Sequence, residues 1–244
     1  MNLRHAGIRG SEVFQNHGGT PIRVHGVRRT WIWLVASLIL CAEALAAATG
    51  SSLYQTCAVC HGSNAEGNET LGSPALASLE GWYLRRQLEQ FRVRARGLDE
   101  SKVKGFLPPE TRTQAMHPVV DTLRPSEARV LIRYLQQLPT PIVQRPREGD
   151  PKRGESLYRG CTACHGVNAE GRRTRGAPRL TGQQPWYLYN QLRDFRMGWR
   201  GTDRKDPHVS WMREQLGLED AALKDLVAYL VQLNSKKGVQ KPRD

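Results

Sequence analysis

Two short stretches carry most of the chemistry in this sequence. Cys57-Ala58-Val59-Cys60-His61 and Cys161-Thr162-Ala163-Cys164-His165 each set two thiols three positions apart and follow them at once with an imidazole. Thiols so spaced on one turn reach the two vinyl groups of a single haem as thioethers, and the adjacent histidine then aims its ring at the iron from the proximal side. A redox dithiol, part of a zinc site or a structural disulfide would use the same residue types. Zinc sites of this composition more usually belong to a reducing compartment, and this chain has the marks of export. The spacing therefore predicts two covalent haem c groups, on Cys57 and Cys60 and on Cys161 and Cys164, with His61 and His165 as axial ligands.

The marks of export lie in the first fifty residues. Trp31 to Ala48 is an apolar run broken only by Glu43, preceded by Arg28 and Arg29 and ending in Ala44-Leu45-Ala46-Ala47-Ala48. This reads as a secretory signal peptide over residues 1–48, which implies a periplasmic protein. Met1 to Val27 is long for the region before such a run, which points to a true start downstream of Met1. An uncleaved anchor is the alternative, since an apolar run of this length just spans a bilayer core of about 30 Å. Cleavage takes away the fifth cysteine, Cys41. It also removes five arginines and two acids, lowering the formal charge from +13 to +10. An exported basic protein does not meet nucleic acid; its surface suits anionic lipid or an acidic redox partner. With 39% hydrophobic and 24% charged residues, the chain is ordinary globular material, neither disordered nor a multispan membrane protein.

The chain is internally duplicated. A shift of 104 residues aligns Gly50–Gly97 with Gly154–Gly201 without a gap and gives 25 identities over 48 positions. A second alignment, offset by 95, pairs Leu123, Leu131, Tyr134, Leu135 and Leu138 with Leu218, Leu226, Tyr229, Leu230 and Leu233. Two copies of one unit follow, over residues 49–138 and 152–235, joined by a Pro-rich linker at 139–151 and followed by a basic tail at 236–244. A six-coordinate haem also needs a distal donor. Beyond the proximal histidines the exported chain offers Met116, Met197, Met212, His117 and His208. Met116 and Met212 each follow the Phe-Arg segment and precede the last helix of their unit, and they are the expected axial ligands. His117 and His208 are the alternatives, and Met197, inside an expected helix, is a core or surface methionine.

The elements that must position these groups are all helical. Helices are expected near 50–57, 82–93 and 126–138, and again near 152–161, 186–197 and 219–233. Val130, Leu131, Tyr134, Leu135 and Leu138 trace one helical face, as do Leu223, Leu226, Val227, Leu230 and Leu233. Ser126, after Pro125, is the expected N-cap. No stretch alternates long enough to argue a sheet.

Each unit has a Cys-x-x-Cys-His followed by Asn-Ala-Glu-Gly, then Tyr-Leu-x-x-Gln-Leu-x-x-Phe, then a methionine ahead of a helix ending in Tyr-Leu. Over Gly50 to Asn234 this pattern resembles the dihaem cytochrome c4 family. The resemblance implies an all-α fold of two tandem class I cytochrome c-like domains related by a pseudo-twofold axis, each with His/Met ligation. It implies electron carriage in the periplasm between a respiratory donor, such as a quinol-oxidising complex or a dehydrogenase, and a terminal oxidase or other acceptor. It also implies that Arg96 and Arg200 approach haem propionates. The first copy departs from the pattern at Ala77-Ser78-Leu79-Glu80, where the second has Thr181-Gly182-Gln183-Gln184, and Arg94 stands where the second has Gly198. A permanently bound subunit of a dehydrogenase or oxidase is the runner-up reading. A dihaem peroxidase would need a displaceable ligand, against which the paired methionines argue. Arg172, Arg173, Arg175 and Arg179 replace Asn68, Glu69, Leu71 and Ala75, so the second haem is expected to have the higher potential.

Overall fold

A computed structural model describes residues 48–96, 113–201 and 206–237. The segment read as a signal peptide lies outside the described residues except for Ala48, as does the tail beyond Lys237. Among the described residues no helix is long and apolar enough to cross a membrane.

The first copy runs α1 (Gly50–His61), α2 (Gly81–Arg92), α3 (Met116–Thr122) and α4 (Pro125–Gln137). The second runs α5 (Pro151–Tyr158), a 3-10 turn at Arg159–Cys161, α6 (Thr162–His165), α7 (Pro185–Arg196), α8 (Pro207–Glu214) and α9 (Asp220–Lys237). Extended pairing among the described residues is limited to the single bridges Asn68–Ser73 and Arg172–Ala177. The fold is therefore all-α, as expected.

Several boundaries differ from expectation for local reasons. Helix α1 starts where the Thr49 hydroxyl accepts from the Ser52 N–H and continues past residue 57 to His61, ending at Gly62 with φ of +83°. Any Cβ there would lie 2.4 Å from the Glu66 carboxyl carbon, so glycine is needed at this turn. In the second copy Gly160 stands in place of Thr56, and the helix breaks into α5, the 3-10 turn and α6. Helix α4 is capped at Arg124, two residues before the expected Ser126, because Pro125 takes the first helical position and the Glu127 carboxylate accepts from the Arg124 N–H at 2.8 Å. Helices α3 and α8, of seven and eight residues, were not expected at all.

In each copy the first and last helices cross at a glycine. A Cβ on Gly50 would stand 2.3 Å from Tyr134 Cβ, and one on Gly154 would stand 2.0 Å from the backbone oxygen of Asp225. This close approach brings Tyr54 against Tyr134 and Tyr158 against Tyr229, with ring centroids 5.7 and 5.5 Å apart. Around these crossings sit two apolar cores. Tyr54, Leu84, Leu131, Ile132 and Leu135 form the first, and Tyr158, Leu188, Leu192, Phe195, Leu223, Leu226 and Leu230 the second.

The second crossing is pinned by Asp225. Its buried carboxylate accepts from the Asp150 N–H at 2.6 Å and from Arg153 Nε at 2.9 Å. The backbone N–H of Asp150, and then the Arg153 guanidinium, hold this carboxyl below the ordinary carboxylate range. A depressed folded value stabilises the native state above about pH 4 and loses that contribution as pH falls through it. Asp225→Asn should cost about 1–3 kcal/mol at neutral pH. The gap to the parent protein should narrow below pH ~4, which denaturant titrations at the two pH values check; equal stability at neutral pH would contradict it.

The linker is extended and held at both ends. The Gln184 side chain donates to the Ile142 carbonyl at 3.0 Å and accepts from the Gln144 N–H at 3.2 Å. Arg147 pairs with Glu69 of the first domain and Glu148 with Lys224 of the second.

Candidate haem sites

The two proximal sites are near copies of each other. Cys57, Cys60 and His61 share the last turns of α1, while Cys161 closes the 3-10 turn and Cys164 and His165 lie on α6. Cys57 and Cys161 are half-buried, Cys60 and Cys164 exposed, and the four thiols are not joined to one another. His61 and His165 are both buried, and each Nδ1 lies 2.8 Å from a backbone oxygen, of Pro74 and Pro178 respectively. That contact fixes the ring and the tautomer, leaving Nε2 as the nitrogen that can bind a metal. Burial pulls both imidazoles below their ordinary pKa, with the carbonyls pulling weakly the other way, so each ring is held in the neutral form a ligand must have.

The loops behind the histidines are locked identically. The Tyr54 hydroxyl donates to the Gly62 carbonyl at 2.5 Å, and Tyr158 to Gly166 at 2.7 Å. Glu66 and Glu170 accept from the N–H of Asn64 and Asn168, both at 2.8 Å. Ala65 and Ala169 both take left-handed φ, 57° and 56°, and both are fully buried. The Asn-Ala-Glu-Gly repeat is thus a scaffold that shapes the turn between each proximal histidine and its proline.

On the distal side the two copies differ. Met212 is the sixth residue of α8 and packs on the same apolar cluster as Cys161, Leu180 and Val209. Met116 opens α3 and is half-buried, but it is not among the side chains packed on the first core. Met197 caps α7 with half its surface exposed, a surface methionine. His117 Nε2 lies 2.7 Å from the Arg96 carbonyl, and His208 stacks edge-on to Trp211. His117 is therefore engaged in holding the backbone.

Arg96 and Arg200 do not sit on open loops. Both are buried, each stacked over a phenylalanine of its own domain, Phe91 at 4.9 Å and Phe195 at 4.6 Å. Arg96 donates to Gln87 of its own domain at 2.6 Å and to Tyr187 and Gln191 of the other, both at 2.9 Å. Arg200 mirrors it, donating to Gln191 of its own domain and to Tyr83 and Gln87 of the other at 2.9 and 3.2 Å. Residues 104 apart exchange partners, which is a pseudo-twofold interface. The interface also reaches the proximal loops. The Gln183 amide grips Ala75, next to Pro74, accepting from its N–H at 3.1 Å and donating to its carbonyl at 2.9 Å. Glu80 accepts from the N–H of Arg179, next to Pro178, at 2.9 Å. Each domain thus braces the histidine-orienting loop of the other. At the sequence departure Ala77–Glu80 the brace comes from the Glu80 carboxylate, one position beyond Leu79, the residue that matches Gln183.

The residues present fit covalent haem. In each copy a thiol pair sits beside a buried, oriented, neutral imidazole, on an apolar cluster. Sequence reasoning missed the bracing residues Tyr83, Gln87, Tyr187, Gln191, Pro74 and Pro178. Their signal was the strict identity of each pair across the repeat.

Comparison with known proteins bears this out. The cytochrome c family model matches residues 47–139 and again 151–234. The chain is 30% identical over 194 residues to the thiosulfate dehydrogenase electron acceptor of Stutzerimonas stutzeri strain A1501, covering 70% of this chain and 81% of that protein. It is 30% identical over 192 residues to cytochrome c4 of Azotobacter vinelandii, covering 72% and 84%. The structure superposes on crystalline reduced cytochrome c4 from Pseudomonas stutzeri with a TM-score of 0.57 at 28% identity, covering 74% of this chain and 95% of that one. The chain belongs to the cytochrome c family, as a tandem dihaem member of the c4 kind with two covalent haem c groups.

Proposed function

We propose that this protein carries electrons in the periplasm, from a quinol-oxidising complex or a dehydrogenase to a terminal oxidase or other acceptor. The carrying observation is the duplicated proximal site, in which both histidines are buried, neutral and fixed through Nδ1 by a carbonyl. A bound haem supplies an iron that gains or loses one electron. The chain's own residues do the rest. His61 and His165 would hold the iron from one side and Met116 and Met212 from the other, where a thioether would favour the ferrous state. The apolar cores exclude water, and Arg96 and Arg200, which also tie the domains together, would offer guanidiniums to the haem carboxylates. The Stutzerimonas relative, named as an acceptor for a dehydrogenase, supports a donor of that class. The role is that of a carrier and not an enzyme, with residues 1–48 as its export signal.

Arg172, Arg173 and Arg175 are exposed and suit an acidic partner or an anionic membrane surface. Arg179 is half-buried and faces Glu80 and Glu170, which offset its charge. Screening of the other three makes the effect modest, but its direction stands: the second haem should titrate at the higher potential in a spectroelectrochemical titration that resolves the two. A higher first haem would contradict it.

The functional test is fractionation followed by turnover. The protein should be released with the periplasmic contents, accept electrons from a dehydrogenase and be reoxidised by membranes containing a terminal oxidase. Recovery only in a stable complex with a catalytic subunit would establish the bound-subunit reading instead.

A further inference from the structure

The helix that bears Met212 is fastened at its start by the other domain. Asp206 caps α8, its carboxylate facing the Val209 N–H at 3.4 Å. The main donors to that carboxylate come from α2 of the first domain. Arg86 Nε donates at 3.0 Å, Arg86 Nη2 donates to both oxygens, and Gln90 Nε2 donates at 2.6 Å. The pair is largely sequestered, with side chains 21% and 14% exposed. The same guanidinium donates through Nη1 to the Gly176 carbonyl at 3.1 Å, so it ties α8 to the loop that follows the second haem motif. That loop closes tightly around it: a Cβ on Gly176 would stand 2.9 Å from Arg86 Nη1 and 2.6 Å from the His208 ring. A forked guanidinium on a carboxylate is a rigid, directional contact, and here it sets the first turn of a helix of only eight residues. A helix so short has little stability of its own. The second domain carries Asn190 and Asp194 at the places matching Arg86 and Gln90. Asn190 lines instead a cleft against the linker.

We propose that Arg86 of the first domain, assisted by Gln90, is a positioning residue for the second haem: by fixing Asp206 it sets the start of α8 and holds Met212 on the iron. The ligation of the second haem then depends on the domain interface, and loosening that contact weakens its sulfur ligand while leaving the first haem untouched. The inference rests on Met212 being the second haem's distal ligand.

The experiment uses the full-length holoprotein with Arg86→Met, Asp206→Asn, the double variant, Arg86→Lys and Met212→Ala, each first checked for two haems per chain. The readouts are the far-red methionine-to-ferric-iron band and the potential of each haem. Arg86→Met and Asp206→Asn should each remove part of the second haem's share of the band and lower its potential, with the first haem unchanged. The double variant should be no worse than the stronger single one, because both break one contact. Arg86→Lys, which keeps the charge and loses the fork, should fall between parent and Arg86→Met. A simple charge effect would move the two single variants in opposite directions, since one removes a positive and the other a negative charge. A merely structural contact would lower the melting temperature and leave band and potentials alone. Either result overturns the proposal. A full band in Met212→Ala would instead overturn the ligand reading beneath it.

Discussion

Gly154→Val should leave the second domain unable to close around its haem, while the first domain still forms. Even a single added carbon would sit 2.0 Å from the Asp225 carbonyl oxygen and 2.8 Å from Tyr229 Cβ, and the first of these is backbone that cannot rotate away. Helices α5 and α9 would have to part, unpacking Tyr158 from Tyr229 and breaking the contacts of Asp225 with Asp150 and Arg153. Overpacking of this kind usually costs 1–3 kcal/mol when side chains can yield, and a backbone clash at a helix crossing should exceed about 3 kcal/mol. The expected result is a chain recovered with one haem instead of two, or lost to proteolysis. Gly198→Ala is the control. Gly198 also has a left-handed φ, +71°, but nothing lies within 4 Å of an added Cβ, so the cost is the backbone preference alone, about 1–2 kcal/mol. Its counterpart in the first domain is already a non-glycine residue, Arg94 at φ of +57°, steadied by an ion pair with Asp121. Equal haem content in the two variants would show that the close crossing is not what the second domain depends on.

The second large effect concerns the distal ligands. Met212→Ala should open the second iron to carbon monoxide in the reduced state and lower that haem's potential. The drop should be a sizeable part of the roughly 0.8 V that axial ligation spans across haem proteins. Met116→Ala should do the same to the first haem. A methionine that only fills space would give a stability loss and no change in potential. The packing of Met212 on the cluster that holds Cys161 makes this the firmer expectation of the two.

Much of this molecule was legible in its sequence because covalent chemistry and duplication leave rigid traces. The Cys-x-x-Cys-His spacing is dictated by the haem's two vinyl groups, and a gap-free repeat at 104 residues marks the proximal half of each copy. The amphipathic faces of α4 and α9 follow directly from their leucine spacing. The short helices α3 and α8 were not legible, because seven or eight residues give too few turns for a period to emerge. Nor was the interface. Arg96 and Arg200 look like loop arginines in the sequence, and their burial comes from glutamine and tyrosine partners about a hundred residues away. Asp206 gives no sign in the sequence that Arg86 reaches it, since the second copy lacks the equivalent pair.

The most direct test of the central claim is the visible and far-red spectrum of the oxidised holoprotein, with haem counted per chain and carbon monoxide then added after reduction. Two closed His/Met sites require two haems per chain, a far-red band of full intensity for both irons and no spectral shift with carbon monoxide. A band of half strength, or a shift in either haem, would contradict paired ligation by Met116 and Met212 and leave one iron open to chemistry that a dedicated electron carrier does not perform.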